Sequence, residues 1–250
     1  MSPPNLLGVA ALLLLLPYLL APRPPGPWEF RGFLALIWYI NATYCAIIYR
    51  LRTEAAPLPA TGPAILIANH TCNIDSFLLQ ATTGRQLGFL IARQYYDFWM
   101  FHLPCKLIGC IPVNSDGREV AATKAALRAL AAGRVLPLFP EGRMLTTSGR
   151  EIGEAKLGVA LIALKARVPV IPAYIRGTPR SKNIWISLTT PSSARVVYGP
   201  PIEADEYAPL AEGRGDQRAA WAATTARFMA AIRALRDREL ARDPDDPPFG

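Results

Sequence analysis

Read for its alternation of apolar and polar positions, the chain divides into an oily front and a segmented body. Positions 6–21 form an apolar run of 16 residues interrupted by Pro17, and positions 33–49 form a second run of 17. A proline-rich break separates them, at Pro22, Pro24, Pro25 and Pro27. After the linker 57–63, short runs of strand character alternate with stretches of helical spacing. Strand candidates are 64–68, 88–92, 107–113, 135–139 and 170–175, followed by extended pieces at 184–188 and 194–198. Helical patterns lie near 75–81, 95–105, 118–132 and 154–166. The stretch 217–242 reads as a long amphipathic helix with Trp221, Phe228, Ile232 and Leu235 near one face. Strands interleaved with helices predict an α/β fold, with a mixed, largely parallel central sheet flanked by helices. Three segments follow: a front piece over 1–52, a domain over 57–242, and an acidic, proline-bearing tail over 243–250 that is expected to fray.

A helix needs about 20 apolar residues to cross the hydrocarbon core, so each front run is marginal alone. Two short helices broken by prolines predict a membrane-associated hairpin that dips into one leaflet ahead of the domain. Trp28, Trp38, Tyr39 and Tyr44 would anchor it at the interface, with Arg50 and Arg52 meeting anionic headgroups. Two other readings stay open. A cleaved signal peptide needs a basic start, and residues 1–5 carry no positive side chain. Short apolar segments also pack as ordinary core helices.

Composition sharpens the membrane reading. The chain is 51% hydrophobic and only 18% charged, yet its net charge is +8, and 22 of its 27 cations are arginines. Arginine's planar fork binds phosphate bidentately, so a basic, oily chain points to anionic lipid or to nucleic acid. No nucleic-acid motif is present, and the hydrophobicity favours lipid. Cys45, Cys72, Cys105 and Cys110 form no CxxC pair and no cluster with histidine, which argues against zinc and against a secreted disulfide framework. A reducing, cytoplasmic setting is expected.

Chemistry-bearing residues gather after two strand candidates. His70 directly follows the run at 64–68 and precedes a helix, where α/β sheets present functional side chains. On a straight helix, residues five apart lie about 140° around the axis, so His70 and Asp75 meet only if the chain turns between them. Asn73 or Thr71 is then placed to cap the helix. A carboxylate on one ring nitrogen fixes the tautomer and leaves the other to accept a proton. Asp75 merely capping its helix is the plainer alternative. Leu138-Phe139-Pro140-Glu141-Gly142-Arg143 ends a second strand and enters a loop with Thr146, Thr147, Ser148 and Gly149. Backbone N–H groups, hydroxyls and a guanidinium are the donor set for a phosphate, although an ordinary glycine turn beside a surface arginine reads the same way.

Together, the two motifs in this order and about 70 residues apart make the chain resemble the glycerolipid acyltransferase family. Its hallmark of histidine, four residues, then aspartate matches His70 and Asp75, and its Phe-Pro-Glu-Gly motif matches residues 139–142. Phe89-Leu90-Ile91-Ala92-Arg93 looks like the segment where the family carries a basic residue near the acceptor phosphate. Residues 109–113 resemble the second motif and 168–173 the fourth, so that the likeness spans roughly 57–203. Two positions depart from the pattern. Asn114 and Ser115 stand where an arginine usually closes the second motif, with Arg118 nearby, and Arg143 follows Gly142 without the usual threonine. The resemblance implies an O-acyltransferase moving an acyl chain from acyl-coenzyme A or acyl carrier protein to a lysophospholipid hydroxyl, 1-acyl-sn-glycerol-3-phosphate foremost. It implies catalysis by His70 and Asp75, and substrate binding by Arg93, Glu141, Gly142 and Arg143. No metal, no cofactor beyond the thioester co-substrate and no nucleic-acid partner are implied. The enzyme would sit on a membrane with its site on the cytoplasmic face.

Two alternatives remain. A lipid esterase or phospholipase would release free fatty acid, but Ser76 lies in no Gly-x-Ser-x-Gly elbow. A lipid-binding protein would keep the fold without turnover. His102 reads as core or channel lining, and Lys156 as a solvated or lipid-facing helix residue.

Overall fold

The computed structural model describes residues 26–113, 119–144, 151–181, 183–211 and 216–242. In chain order its first half runs α1 (Gly32–Ile48), β1 (Arg52–Thr53), β2 (Ala64–Ala68), α2 (Asp75–Ala81), β3 (Leu90–Ala92), α3 (Arg93–Tyr96), α4 (Trp99–Leu107) and β4 (Ile111–Val113). The second half runs α5 (Glu119–Ala131), β5 (Val135–Leu138), α6 (Gly158–Ala166), β6 (Val170–Arg176), α7 (Ile184–Thr189), β7 (Arg195–Tyr198), α8 (Ala204–Tyr207) and α9 (Gln217–Arg242).

β2 is the axis. It pairs in parallel with β5 on one side and β6 on the other, β7 joins β6 antiparallel, and β1 lies parallel to β7, giving the order β1-β7-β6-β2-β5. The expected mixed, largely parallel sheet is therefore present. A parallel pair, β3 with β4, adjoins it through a bridge between Leu87 and Val135. All five β2 residues are fully buried, as a strand covered on both faces must be. Alternate residues serve opposite layers. Ala64, Leu66 and Ala68 pack with Trp38, Ala42 and Cys45 of α1, whereas Ile65 and Ile67 pack with α5, α6 and α9 through Leu130, Ile162, Phe228 and Ile232.

The second apolar run thus forms one helix whose inner face belongs to the core. Trp38 Nε1 donates to the carbonyls of Gln80 and Thr83 at 3.0 and 2.9 Å, and Asn41 Nδ2 donates to the Phe77 carbonyl at 2.9 Å. These bonds moor α1 on α2 and use the polar residue that interrupts the run. Its outer face keeps Phe33, Ile40 and Ile47 in the open at a seven-residue spacing. Among the described residues, no helix is long and apolar enough to cross a membrane. The other half of the expected hairpin, 6–21, and the tail 243–250 lie outside the described residues.

Several elements differ from the expectation. Positions 184–188 are helical, because the Asn183 side chain accepts from the Trp185 N–H at 2.9 Å and caps a turn that five apolar residues alone leave ambiguous. Of 107–113 only Ile111–Val113 is strand. The preceding residues close α4, with Gly109 at φ +70° and the Cys110 N–H returning to the Cys105 carbonyl at 2.8 Å. The pattern at 95–105 breaks into α3 and α4, and the helix expected from 154 begins at Gly158. Trp221 is only half-buried on α9, whereas Phe228, Ile232 and Leu235 are interior.

Candidate active site

The site forms where β2 and β5, adjacent and parallel, end side by side. Asn69, the residue after β2, exchanges both amide bonds with Ile175 of β6: its Nδ2 donates to the Ile175 carbonyl at 2.9 Å and its Oδ1 accepts the Ile175 N–H at 2.8 Å. A side-chain amide thereby continues the ladder one step past the strand, and His70 is held at the carboxyl edge. From there the chain wraps around a carboxylate. Asp75 is fully buried at the first position of α2. Its Oδ2 accepts from His70 Nδ1 at 2.7 Å, from the Thr71 N–H at 2.6 Å and from the Cys72 N–H at 3.1 Å. Its Oδ1 accepts the Thr71 hydroxyl. The two readings of Asp75 are therefore compatible, since one carboxylate closes the loop and grips the histidine. Neither Asn73 nor Thr71 is the cap: that position falls on Ile74, which makes no side-chain cap bond.

A carboxylate surrounded by donors accepts only, so the Nδ1 of His70 carries the proton and Nε2 offers its lone pair. The ring lies flat on Phe139, with centroids 4.3 Å apart and planes 14° apart, which fixes its rotation. Its side chain is 19% exposed, enough to meet a substrate. Cys72, the thiol nearest this base, is no nucleophile in waiting. Burial foremost, and the Asp75 charge next, push its pKa far above the usual thiol range.

Glu141 enters from the end of β5. Its Oε1 accepts the His70 backbone N–H at 2.9 Å, joining the two strand-end loops. The side chain is 4% exposed, and Oε2 has no hydrogen-bond partner among the described residues. Burial raises its pKa, while the His70 N–H pulls the other way; the Gly153 N–H also favours the ionised form without bonding Oε2. Gly142 has φ +68°, and a Cβ there would lie 2.8 Å from Cδ and 2.9 Å from Cε of Lys156. The left-handed backbone is what favours glycine here, since the flexible Lys156 stem could move aside. Lys156, read from the sequence as a solvated or lipid-facing helix residue, instead precedes α6 and lines a cavity of about 540 Å³ with Glu141, Arg143, Glu154 and Ala155.

The structure brings together His70, Asp75, Glu141, Gly142 and Arg143. Arg93 pairs with Asp97 at 3.6 Å, is more than half exposed and does not line the cavity beside Glu141. His102 is exposed on α4 with Nδ1 3.2 Å from the Tyr96 carbonyl oxygen, so it is not a core residue. The hydroxyl-rich positions 146–149, together with Asn114, Ser115 and Arg118, lie outside the described residues. Sequence reading overlooked the roles of Asn69, Phe139 and Lys156. For Asn69 and Phe139 the signal was adjacency to the motifs, whereas Lys156 has no local signal, because its contact with Gly142 joins residues 14 apart in the chain.

A family model described as Acyltransferase matches residues 51–176. A Mycoplasma pneumoniae protein named "Probable 1-acyl-sn-glycerol-3-phosphate acyltransferase" is 30% identical over 152 residues, covering 58% of this chain and 54% of that protein. Its namesake in Mycoplasma genitalium is 30% identical over 123 residues, covering 46% and 45%. The chain thus spans about half the length of these curated relatives. Among solved structures, the Thermotoga maritima 1-acyl-sn-glycerophosphate acyltransferase PlsC superposes with a TM-score of 0.59 at 16% identity, covering 92% of this chain and 89% of that one, a likeness of fold.

Proposed function

The chain belongs to the acyltransferase family, and on that premise we propose that it moves a fatty acyl chain from the thioester of coenzyme A or acyl carrier protein to the hydroxyl of a lysophospholipid, 1-acyl-sn-glycerol-3-phosphate first among them. The observation that carries this reading is the arrangement of His70. Its Nδ1 is held at 2.7 Å by a fully buried carboxylate, its ring is pinned on Phe139, and its Nε2 remains to act. Nε2 takes the proton of the acceptor hydroxyl as that oxygen attacks the thioester carbonyl carbon. Asp75 stabilises the imidazolium so formed. Collapse of the tetrahedral adduct breaks the C–S bond, and the imidazolium returns its proton to the leaving thiolate. The products are an ester and a free thiol, with no acyl-enzyme on the path.

Arg143 and Lys156 supply cations to the acceptor phosphate from the cavity wall, and Glu141 Oε2 accepts from an acceptor hydroxyl. Arg93 is assigned an outer, weaker part in phosphate capture. Acceptor and product both reside in a bilayer, and both donors are water-soluble carriers. The enzyme accordingly works on a membrane, open to the cytoplasm, with positions 6–21 and the outward stripe of α1 as its anchor.

The test incubates the purified chain with labelled acyl-coenzyme A or acyl carrier protein and a panel of lysolipids. Thioester is consumed only when acceptor is present, with one thiol released per acylated lipid. Release of free fatty acid without acceptor would overturn the assignment in favour of a hydrolase.

A further inference from the structure

Among the described residues, large apolar side chains left in water are few. Nine are exposed among the described residues: three line α1, one is Val120, and the other five are Phe98, Trp99, Leu103, Trp185 and Ile186. Those five come from two segments more than eighty residues apart, and ring contacts join the two segments. Trp185 of α7 meets Phe98 and Phe101 of the α4 segment, with ring centroids 6.3 and 6.4 Å apart. Trp99 is 79% exposed and Leu103, one turn further on, 60%; Trp185 and Ile186 stand at 50% and 52%. Side chains of this size, so exposed, mark a contact surface.

Its position relates it to the active site. α7 follows β6, whose end is bonded to Asn69 beside His70. α4 follows β3, which runs parallel to β4 and is linked in parallel to β5 through the Leu87–Val135 bridge. Both helices therefore leave the sheet at the edge that carries His70 and Glu141. α7 is tied to α1 as well, because the hydroxyls of Tyr44 and Tyr49 donate to the carbonyls of Leu188 and Ser187. The cluster thus continues toward the helix whose outer stripe is apolar.

The charge around it selects the occupant. Among the described residues, the segments 93–107 and 180–189 carry Arg93, Lys106 and Arg180 against one carboxylate, Asp97, which pairs with Arg93. Exposed tryptophans beside cationic side chains match an anionic lipid interface, where the rings sit at headgroup depth and the cations meet phosphate.

We propose that the α4–α7 aromatic cluster is a second membrane-docking surface, separate from the front segment, which seats the carboxyl edge of the sheet against an anionic bilayer. It rests on the membrane reading above and adds a named surface to it. The front segment holds the protein near lipid, and the cluster sets the tilt that presents His70 to a bilayer-resident acceptor.

The experiment uses the full chain and substrate-free vesicles of phosphatidylcholine with phosphatidylglycerol, with bromine on the acyl chains as a contact quencher. Wild-type tryptophan emission shifts to the blue and is quenched. In the double variant Trp99→Phe, Trp185→Phe, most of the quenched component disappears although the protein still sediments with vesicles. Trp99→Gln with Trp185→Gln lowers acylation of vesicle-borne acceptor at least about tenfold, the worth of one large side chain withdrawn from water. It leaves the rate on a detergent-dispersed acceptor unchanged. Undiminished quenching in the phenylalanine variant, or equal losses on both forms of acceptor, would overturn the proposal. Absence of acyl transfer by the wild type would instead strike the functional assignment, which the quenching does not read.

Discussion

Two buried carboxylates stand at the ends of adjacent parallel strands and are bonded in opposite ways. Asp75 spends both oxygens on its own loop and on the His70 ring, with bonds from two backbone N–H groups, a hydroxyl and the imidazole. Glu141 uses one oxygen to hold the His70 backbone and leaves the other buried, without a partner among the described residues. A saturated carboxylate fixes geometry and charge, whereas a carboxylate with an open oxygen can accept a further hydrogen bond. Under the proposed mechanism, the contrast separates the part of the site that serves the base from the part that serves the acceptor.

Perturbing the base sets the upper limit. His70→Ala is expected to lower kcat by about 10²–10⁴-fold with an unchanged melting temperature. A variant keeping half its activity would remove general-base catalysis from the mechanism. Asp75→Asn is expected to fall within about tenfold of that loss, since an amide can donate to Nδ1 and turn the imidazole into the wrong tautomer. It also places a donor opposite the Thr71 and Cys72 N–H groups, so its melting temperature drops as well.

On the acceptor side the losses belong in KM. Arg143→Ala and Lys156→Met are each expected to raise the acceptor KM about 10-fold or more, the worth of a charge-assisted hydrogen bond, while the donor KM stays put. Arg93→Ala, lying outside the cavity wall, is expected to do less. Equal changes for both substrates would make these cations structural. Glu141→Gln keeps an acceptor for the His70 N–H and replaces the open oxygen by an amide. A several-fold rise in acceptor KM with kcat nearly intact is expected, and a kcat loss as large as that of Asp75→Asn would erase the distinction between the carboxylates.

The smallest effect concerns pH. Burial raises the Glu141 pKa above 4.5, so the folded state holds this proton more tightly than the unfolded state. The resulting stability is full below the unfolded value and is lost as pH rises through the folded one. Thermal melts of Glu141→Gln should therefore decline less than wild type across the window just above pH 4.5. Parallel curves would show that this burial does not influence stability.

Much of this site was legible because each half is local. An apolar strand followed by Asn-His, or by Phe-Pro-Glu-Gly, announces its own loop. Asp75 was harder: spacing required a turn, but only the wrapped loop shows one carboxylate both closing it and holding His70. Lys156 could not be read, because what places it over Gly142 is a contact between residues 14 apart, held by the Lys156 N–H on the Pro140 carbonyl at 2.8 Å. The run at 184–188 was misjudged for a related reason, since five apolar residues suit strand or helix until the Asn183 cap is formed.

By itself, then, the sequence determined the α/β class, the sites where strands end and the residues that stand there, because apolar periodicity and turn chemistry act over a few neighbours. Only the tertiary structure decided that the loops at His70 and Glu141, 71 residues apart, share a hydrogen bond, that half of the second apolar run is core, and that α4 and α7 pool their exposed rings. These depend on sheet order and helix packing, in which contacts between distant segments are set by the burial of β2 on both faces.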